Sequence, residues 1–412
     1  MSRYINSSLI NNNLLEKALK EFSTIIPKKF KDIENVGVIA GISGIALFQF
    51  YYARLLKDEK HADIGAEIIS YCIDKINQGY SYPTYCNGIA GLGWVIQHLE
   101  ANNFIELDCD ELLTPFDDYL VNQMKFDLEK GNYDFLHGAM GYAYYFFKRF
   151  KNTKNIHLKN CYQQYIITFI KGLDIFPFNE ESTIKWKSYI DTEELNNGHN
   201  LGVAHGISGI INFLSRLYQF DEFQKATSSL LNNSVMFLLG KEKKIPGGVS
   251  LYPNWVDFNS TPKYDSRVAW CYGDLGIGLS LFRAGKIMND NYINKRALKV
   301  LMHTTKRKSP ENTLVIDSGL CHGSYGNAQI YKTIFKESND PTFQKMFEFW
   351  VKDGLLKANH KDGYAGYKRW NSLEQTWTPD LSLLEGISGI GLVMIDYLSE
   401  SNTFWDECLM IS

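Results

Sequence analysis

Seven apolar stretches recur along the chain, and each opens with two glycines separated by two residues. The residues after the glycines are apolar on nearly every side of a helix, as in Gly206-Ile-Ser-Gly209-Ile-Ile-Asn-Phe. A helix that is apolar all round is typical of a buried position. We therefore predict seven buried helices, whose opening glycines lie at residues 41 and 44, 88 and 91, 138 and 141, 206 and 209, 273 and 276, 323 and 326, and 386 and 389.

Between these copies the pattern becomes amphipathic. Residues 62–76 and 293–302 carry apolar side chains at helical spacing, with polar residues on the opposite face. A repeat of about fifty residues accommodates two helices of ordinary length and two loops. The pattern therefore predicts seven pairs, each made of an amphipathic outer helix and a buried inner helix.

The repeats predict an all-α protein, a closed α/α toroid of seven inner and seven outer helices in one domain over residues 1–412. An open solenoid is the alternative, but it would need polar caps, and the last copy, at Gly386, is nearly as apolar as the internal ones. Longer spacings predict small irregular or β insertions at about residues 172–198 and 240–265. A third such stretch lies at residues 359–372.

Composition narrows the function classes. The net charge of −3 argues against a nucleic-acid-binding protein, and no apolar run is long enough to predict a transmembrane segment. The first residues lack the basic and apolar regions of a signal peptide. Seven scattered cysteines predict a reduced, cytoplasmic protein, with Cys72 and Cys161 as small buried hydrophobic residues.

The residues just before the opening glycines would share one end of a closed ring. In copies three to six they offer acid, base and metal-binding side chains: Asp134, His137, His205, Arg267, Cys271, Tyr272, Cys321 and His322. Two thiolates and one imidazole, from Cys271, Cys321 and His322, fit zinc with a fourth position open to water or substrate. We expect Gly323 to give the backbone the freedom that turns Cys321 and His322 toward one ion. The flanks of copies one, two and seven predict packing alone.

Alternatives remain open for several of these side chains. His137 is a candidate fourth metal ligand, and His205 is also suited to capping the helix that follows it. Asp134 is equally well explained as a helix N-cap, which is an ordinary role for aspartate. Arg267 and Tyr272 are candidates for structural roles as well as for the site.

Two motifs together resemble a known family. Trp270-Cys271-Tyr272-Gly273 and Cys321-His322-Gly323, about fifty residues apart within seven glycine repeats, resemble the lanthionine synthetases, the class I lanthipeptide cyclases of the nisin-cyclase type. The resemblance covers essentially the whole chain and implies an α/α toroid with Zn²⁺ at one end of its cavity. It implies that the zinc ligands are Cys271, Cys321 and His322, that His205 and Asp134 are catalytic, and that Arg267 and Tyr272 line the same site.

The resemblance also implies an activity and partners. Cyclases of this family add a cysteine thiol of a dehydrated precursor peptide to dehydroalanine or dehydrobutyrine, which gives a thioether ring. The implied partners are the leader-bearing precursor, a dehydratase and a transporter, in the cytoplasm or at the membrane surface through a synthetase complex.

Two other functions are alternatives to the cyclase. The first is a zinc- and glutathione-binding protein without cyclase activity, since eukaryotic relatives of the family bind glutathione. The second is a toroidal carbohydrate hydrolase. It would need paired carboxylates at the cavity, where the glycine-flanking positions offer only Asp134 and Asp274.

Overall fold

The computed structural model describes residues 10–175, 186, 198–243, 248–257, 261–399 and 403–412, and these residues are mostly helical. Each predicted buried helix begins directly after its first glycine, which confirms the seven inner helices. They are α2 (Ile42–Leu56), α4 (Ile89–Ala101), α6 (Ala139–Asn152), α8 (Ile207–Tyr218), α10 (Asp274–Ile287), α13 (Ser324–Ser338) and α15 (Ile387–Leu398).

Seven amphipathic helices form the outer layer, as the pattern predicts. They are α1 (Asn12–Lys29), α3 (Glu59–Asn77), α5 (Cys109–Glu129), α7 (Ile156–Ile175), α9 (Asp221–Gly240), α11 (Asn291–Thr304) and α14 (Pro341–Leu356). Each outer helix except α1 packs against the inner helix that precedes it in the chain. The outer helix α1 packs beside α15. A one-turn helix, α12 (Pro310–Thr313), precedes the sixth copy.

The ring of inner helices is closed, as predicted, because α15 packs against α2. Backbone hydrogen bonds also close it at the turns before the inner helices. Leu384 N–H donates to the Ile39 carbonyl at 3.1 Å, which joins the last repeat to the first. The residues two positions before each first glycine form a circle that we call the collar: Ile39, Cys86, Leu136, Ala204, Cys271, Cys321 and Leu384.

Each collar residue donates its N–H to the next one, with a single exception. The link from Leu136 to Ala204 is absent among the described residues, because Leu136 N–H donates to the Asp134 carboxylate instead, at 2.8 Å. At this place α6 and α8 meet through aromatic side chains, with Tyr144 and Phe147 both packed edge-on against Phe213. The collar is therefore open between the third and fourth repeats.

Two short antiparallel sheets of two strands each accompany the helices, and only the second of them is a hairpin. Strand β1 (Gly198–Asn200) pairs with β2 (Trp255–Asp257), and β3 (Arg369–Asn371) pairs with β4 (Thr376–Thr378). Strand β2 lies in the predicted insertion at 240–265, and β3 lies at the end of the stretch 359–372. The predicted insertion at 172–198 begins later than expected, since α7 continues to Ile175, and residues 176–185 and 187–197 lie outside the described part of the chain.

The segment 403–412 fills the interior of the ring. Its residues Trp405 and Cys408 to Ile411 are fully buried, and inner-helix or turn side chains donate hydrogen bonds to six successive carbonyls. The donors to residues 407–412, in order, are Tyr144, Tyr85, Trp270, Asn212, Arg283 and Arg216. Because these donors come from several sides of the ring, the segment is enclosed by it.

The structure also tests the predicted burial of two cysteines. Cys72 is fully buried as predicted, and burial raises the pKa of its thiol to about 12. The prediction for Cys161 is wrong, because this residue lies on the exposed side of α7. None of the helices in the described ranges has both the length and the apolar character needed to cross a bilayer.

The second glycine of each repeat lies where the preceding turn folds back over the inner helix. At Gly44, a Cβ atom would be 1.9 Å from the carbonyl oxygen of Val38 and 3.0 Å from Leu383. Non-bonded atoms do not approach so closely, so a side chain would push the turn away from the helix. Space, and not a special backbone torsion, requires this glycine.

Gly44→Ala should therefore lower the free energy of unfolding by about 1–3 kcal/mol, the usual cost of overpacking a core. The loss is expected although alanine favours helices over glycine. Urea denaturation measures it. Gly240→Ala is the matched control, since no atom lies within 4 Å of a Cβ built at this other helical glycine. Equal effects of the two substitutions would contradict the crowding explanation.

Candidate metal centre and active site

Three predicted ligands converge at the collar. The ligand atoms of Cys271, Cys321 and His322 all lie within 4.8 Å of one another. Cys271 and Cys321 are neighbouring collar residues, and the Cys271 N–H donates to the Cys321 carbonyl at 3.2 Å. His322 follows Cys321 directly and precedes the first glycine of the sixth repeat. The repeat register thus brings Cys271 together with the adjacent pair Cys321 and His322, which lies about fifty positions later in the sequence.

The two thiols form an unequal pair. A hydrogen bond from the Cys321 thiol holds the pKa of Cys271 well below its usual range, against the effect of burial, and His322 and Arg267 lower it further. The same hydrogen bond to Cys271, together with burial, raises the pKa of Cys321 well above its usual range. The pair of thiols therefore loses one proton readily and holds the second one tightly.

Gly323 serves a different purpose from the one expected. Its φ of −102° and ψ of −175° are extended values that any residue adopts, so backbone freedom is not what requires glycine here. A Cβ at this position would instead lie 2.5 Å from an oxygen of Asp317 and 2.3 Å from the Gly319 nitrogen. The expectation about freedom was wrong, and space for a carboxylate explains the residue.

This donor set fits a zinc ion. Thiolate sulfur and imidazole nitrogen are the ligands that zinc prefers, and three protein ligands leave one coordination position for a substrate. Metal binding requires deprotonated cysteine, and the lowered pKa of Cys271 favours that state. His137, the candidate fourth ligand, lies outside this close group of ligand atoms and is exposed.

Asp134 and His205 form a second pair next to the ligands. The Nδ1 atom of His205 lies 2.6 Å from Oδ2 of Asp134. The other carboxylate oxygen of Asp134 accepts the N–H groups of Leu136 and His137, each at 2.8 Å. Asp134 thus caps its own turn and also binds His205. It is not the helix N-cap of the alternative interpretation, because Gly138 occupies the N-cap position of α6. With Nδ1 on the carboxylate, Nε2 is the nitrogen of His205 that remains for a substrate.

Charge sets the protonation of this pair. Burial alone would lower the pKa of His205, but the Asp134 charge and hydrogen bond outweigh it, so the pKa is raised. The converse holds for Asp134, whose pKa is lowered because His205 outweighs the effect of burial. The ring centroid of His137 lies 6.2 Å from that of His205, with the two rings nearly parallel.

Tyr272 and Arg267 lie beside these groups, as predicted. The Tyr272 ring is 6.4 Å from the His205 ring, its hydroxyl accepts a hydrogen bond from Asn200 at 3.2 Å, and burial raises its pKa to about 12. The Arg267 guanidinium lowers the pKa of Cys271 by its charge. Its side chain makes no hydrogen bond or ion pair with the part of the chain that the structure describes.

Three side chains at this end of the ring were missed. Glu385 directly precedes the seventh first glycine and forms an ion pair of 2.5 Å with Arg369 on β3, although the flank of copy seven was expected only to pack. Asp317 and Asn200 lie six residues before their first glycines, the same offset as Arg267. That shared offset was the available signal, because equivalent positions of repeats become neighbours in a ring.

Asp274 is not available as the second carboxylate that the hydrolase alternative requires. Asp274 is fully buried, and its two oxygens accept the backbone N–H groups of Leu251 and Tyr252, each at 2.9 Å. Asp274 thus holds residues of the insertion at 240–265 against the start of α10. Asp134 already binds His205, so these two residues do not provide the carboxylate pair that glycoside hydrolysis needs.

The Asp134–His205 contact gives a direct prediction about titration. Asp134→Asn should lower the pKa of His205, because the charge that raises it is removed while the burial that lowers it remains. Titration of the imidazole by NMR measures the change, and Asp380→Asn, which removes a carboxylate in the seventh repeat, is the control. An unchanged or raised His205 pKa in Asp134→Asn would contradict the pairing.

Comparison with known proteins agrees with this architecture. The family model described as lanthionine synthetase C-like protein matches residues 32–410. The nisin biosynthesis protein NisC of Lactococcus lactis subsp. lactis is 24% identical over 414 residues, covering 92% of this chain and 90% of the relative. The solved structure of nisin cyclase superposes with a TM-score of 0.76 at 19% identity, covering 97% of this chain and 98% of the other. Since the family model spans most of the sequence, the chain belongs to the lanthionine synthetase C-like family.

Proposed function

We propose that this protein is a zinc-dependent lanthipeptide cyclase. It would form lanthionine and methyllanthionine rings by adding peptide cysteine thiols to dehydroalanine or dehydrobutyrine. One observation carries the proposal: the ligand atoms of Cys271, Cys321 and His322 share one end of the ring with the Asp134–His205 pair, on four consecutive repeats. Membership of the family, and the printed name of the solved relative, nisin cyclase, support it.

The reaction balances without a co-reactant. A carbon–sulfur bond forms at the β carbon of the dehydro residue while its carbon–carbon π bond breaks. The electron pair moves onto the adjacent carbonyl as an enolate, and a proton returns to the α carbon as the thiol proton is lost. A zinc ion held by Cys271, Cys321 and His322 would bind the substrate thiol and lower its pKa.

His205 would carry out the proton transfers. Its Nε2 is free of the Asp134 contact, and its raised pKa allows it both to accept a thiol proton and to donate one near neutral pH. Asp134 holds the ring in one orientation and stabilises the imidazolium. Arg267, whose charge already acts on Cys271, is suited to stabilise the enolate, and Tyr272 orients substrate beside His205.

The substrate of this proposal is a dehydrated precursor peptide that carries a leader. A dehydratase must supply it, because the reaction consumes dehydro residues and the site offers no chemistry that would make them. We further propose a transporter as a partner and the cytoplasm as the place of the reaction, which follow from family membership alone.

Incubation with a dehydrated, cysteine-containing precursor peptide tests the proposal. Ring closure does not change mass, so the readout is the number of free thiols, counted by alkylation followed by mass spectrometry. The wild type should consume thiols faster than a blank without enzyme, and His205→Ala should slow this about 100- to 10,000-fold, the usual contribution of acid–base catalysis. Undiminished thiols with several such peptides, together with tight binding of zinc and glutathione, would favour the glutathione-binding alternative.

Loss of one thiolate ligand should abolish the binding of one equivalent of metal. Cys271→Ala is expected to lose bound zinc in metal analysis, because only two of the three ligands remain. Cys86→Ala is a matched control, since Cys86 is a buried collar residue at the same register position but lies outside the ligand group. Zinc retained at one equivalent by Cys271→Ala would overturn the ligand assignment.

A further inference from the structure

Asp317 is a buried carboxylate beside the proposed metal ligands. It lies six residues before Gly323 and is 3% exposed. Its Oδ2 atom is 3.7 Å from Nε2 of His322, which is close enough for electrostatic attraction and slightly beyond hydrogen-bond length.

Three contacts fix this carboxylate in one orientation. Oδ1 accepts the Gly319 N–H at 3.2 Å, and Oδ2 accepts the Trp370 N–H of β3 at 3.1 Å. The carboxylate also packs over Gly323, where a Cβ would come within 2.5 Å of Oδ1. Asp317 is therefore held from two elements, its own turn and the β3–β4 hairpin, with one oxygen directed at the His322 ring.

We propose that Asp317 is a positioning residue of the metal centre. It would keep the proton of His322 on Nε2, which leaves Nδ1 as the ring nitrogen available to the ion. Metal-binding histidines generally donate their other ring N–H to a carboxylate or carbonyl, which fixes their orientation. The inference rests on the proposed metal site and extends it to the hairpin, whose Trp370 N–H holds Asp317.

Turn capping alone is the competing explanation, and the repeats provide a matched comparison. Asp380 lies at the same offset in the seventh repeat, where its Oδ1 accepts the Ser382 N–H at 2.6 Å. It has no histidine partner corresponding to His322. In the fourth repeat the same place is held by Asn200, whose amide oxygen accepts the Gly202 N–H at 2.8 Å. An asparagine is thus sufficient to cap this turn. Asp317→Asn therefore preserves the cap, removes the charge and replaces Oδ2, which accepts the Trp370 N–H, by an amide nitrogen.

Competition with a chromophoric chelator, using Zn²⁺ as the probe, tests the role without relying on catalysis. The dissociation constant of Asp317→Asn should rise about 10- to 100-fold, the usual effect of losing such a partner. Asp380→Asn should bind Zn²⁺ as wild type does, and Asp317→Glu, which restores the carboxylate, should recover part of the affinity. Urea denaturation of the metal-free proteins shows whether each variant is folded.

The outcomes separate the two proposals. Wild-type affinity in Asp317→Asn would overturn the positioning role and leave the metal site intact, whereas a wild type that binds no Zn²⁺ would overturn both. If Asp317→Asn does not fold, ¹⁵N NMR of His322 in the zinc-loaded wild type decides. A proton on Nε2 supports the role, and a metal-bound Nε2 contradicts it.

Discussion

Crowding at the start of each inner helix is the constraint on which the structure depends. The six residues before each first glycine fold back over the first helical turn, so closely that a methyl group would collide with backbone. At Gly206, for example, a Cβ would lie 2.3 Å from the Asn200 carbonyl oxygen. Only this tight turn brings neighbouring repeats into backbone contact as a collar. Once the collar exists, residues at equal offsets in successive repeats become spatial neighbours, and a site can be assembled from four repeats.

The one opening in the collar is filled by the proposed acid–base pair. Leu136 N–H, which would otherwise reach the fourth repeat, is satisfied by Asp134, and the other oxygen of Asp134 reaches across to His205. A buried N–H without a partner costs about 1–3 kcal/mol, so the carboxylate stabilises the turn as well as the imidazole. One carboxylate thus serves both the turn and the proposed acid–base pair.

The sequence predicted what depends on local pattern and repeat register. Seven glycine pairs located the starts of the inner helices, and the candidate ligands Cys271, Cys321 and His322 follow from positions relative to those pairs. Asp317 and Glu385 were missed because their partners, Trp370 and Arg369, lie on a hairpin after α14 that no periodicity marks. The role of Gly323 was misjudged because sequence does not distinguish a glycine needed for torsion from one needed for space. Cys161 was misplaced because residue type alone does not reveal which face of a helix is buried.

The segment 403–412 has a consequence for how a long peptide substrate would reach the proposed site. Residues 403–412 occupy the interior of the ring, and their carbonyls are bound from several sides. In the proposed function, a peptide substrate would therefore approach the collar from its open side and would not be threaded through the ring. It would present a bend to the collar, with both of its ends on the same side. Such a geometry sets no limit on peptide length and permits successive bends of one chain to visit the same centre.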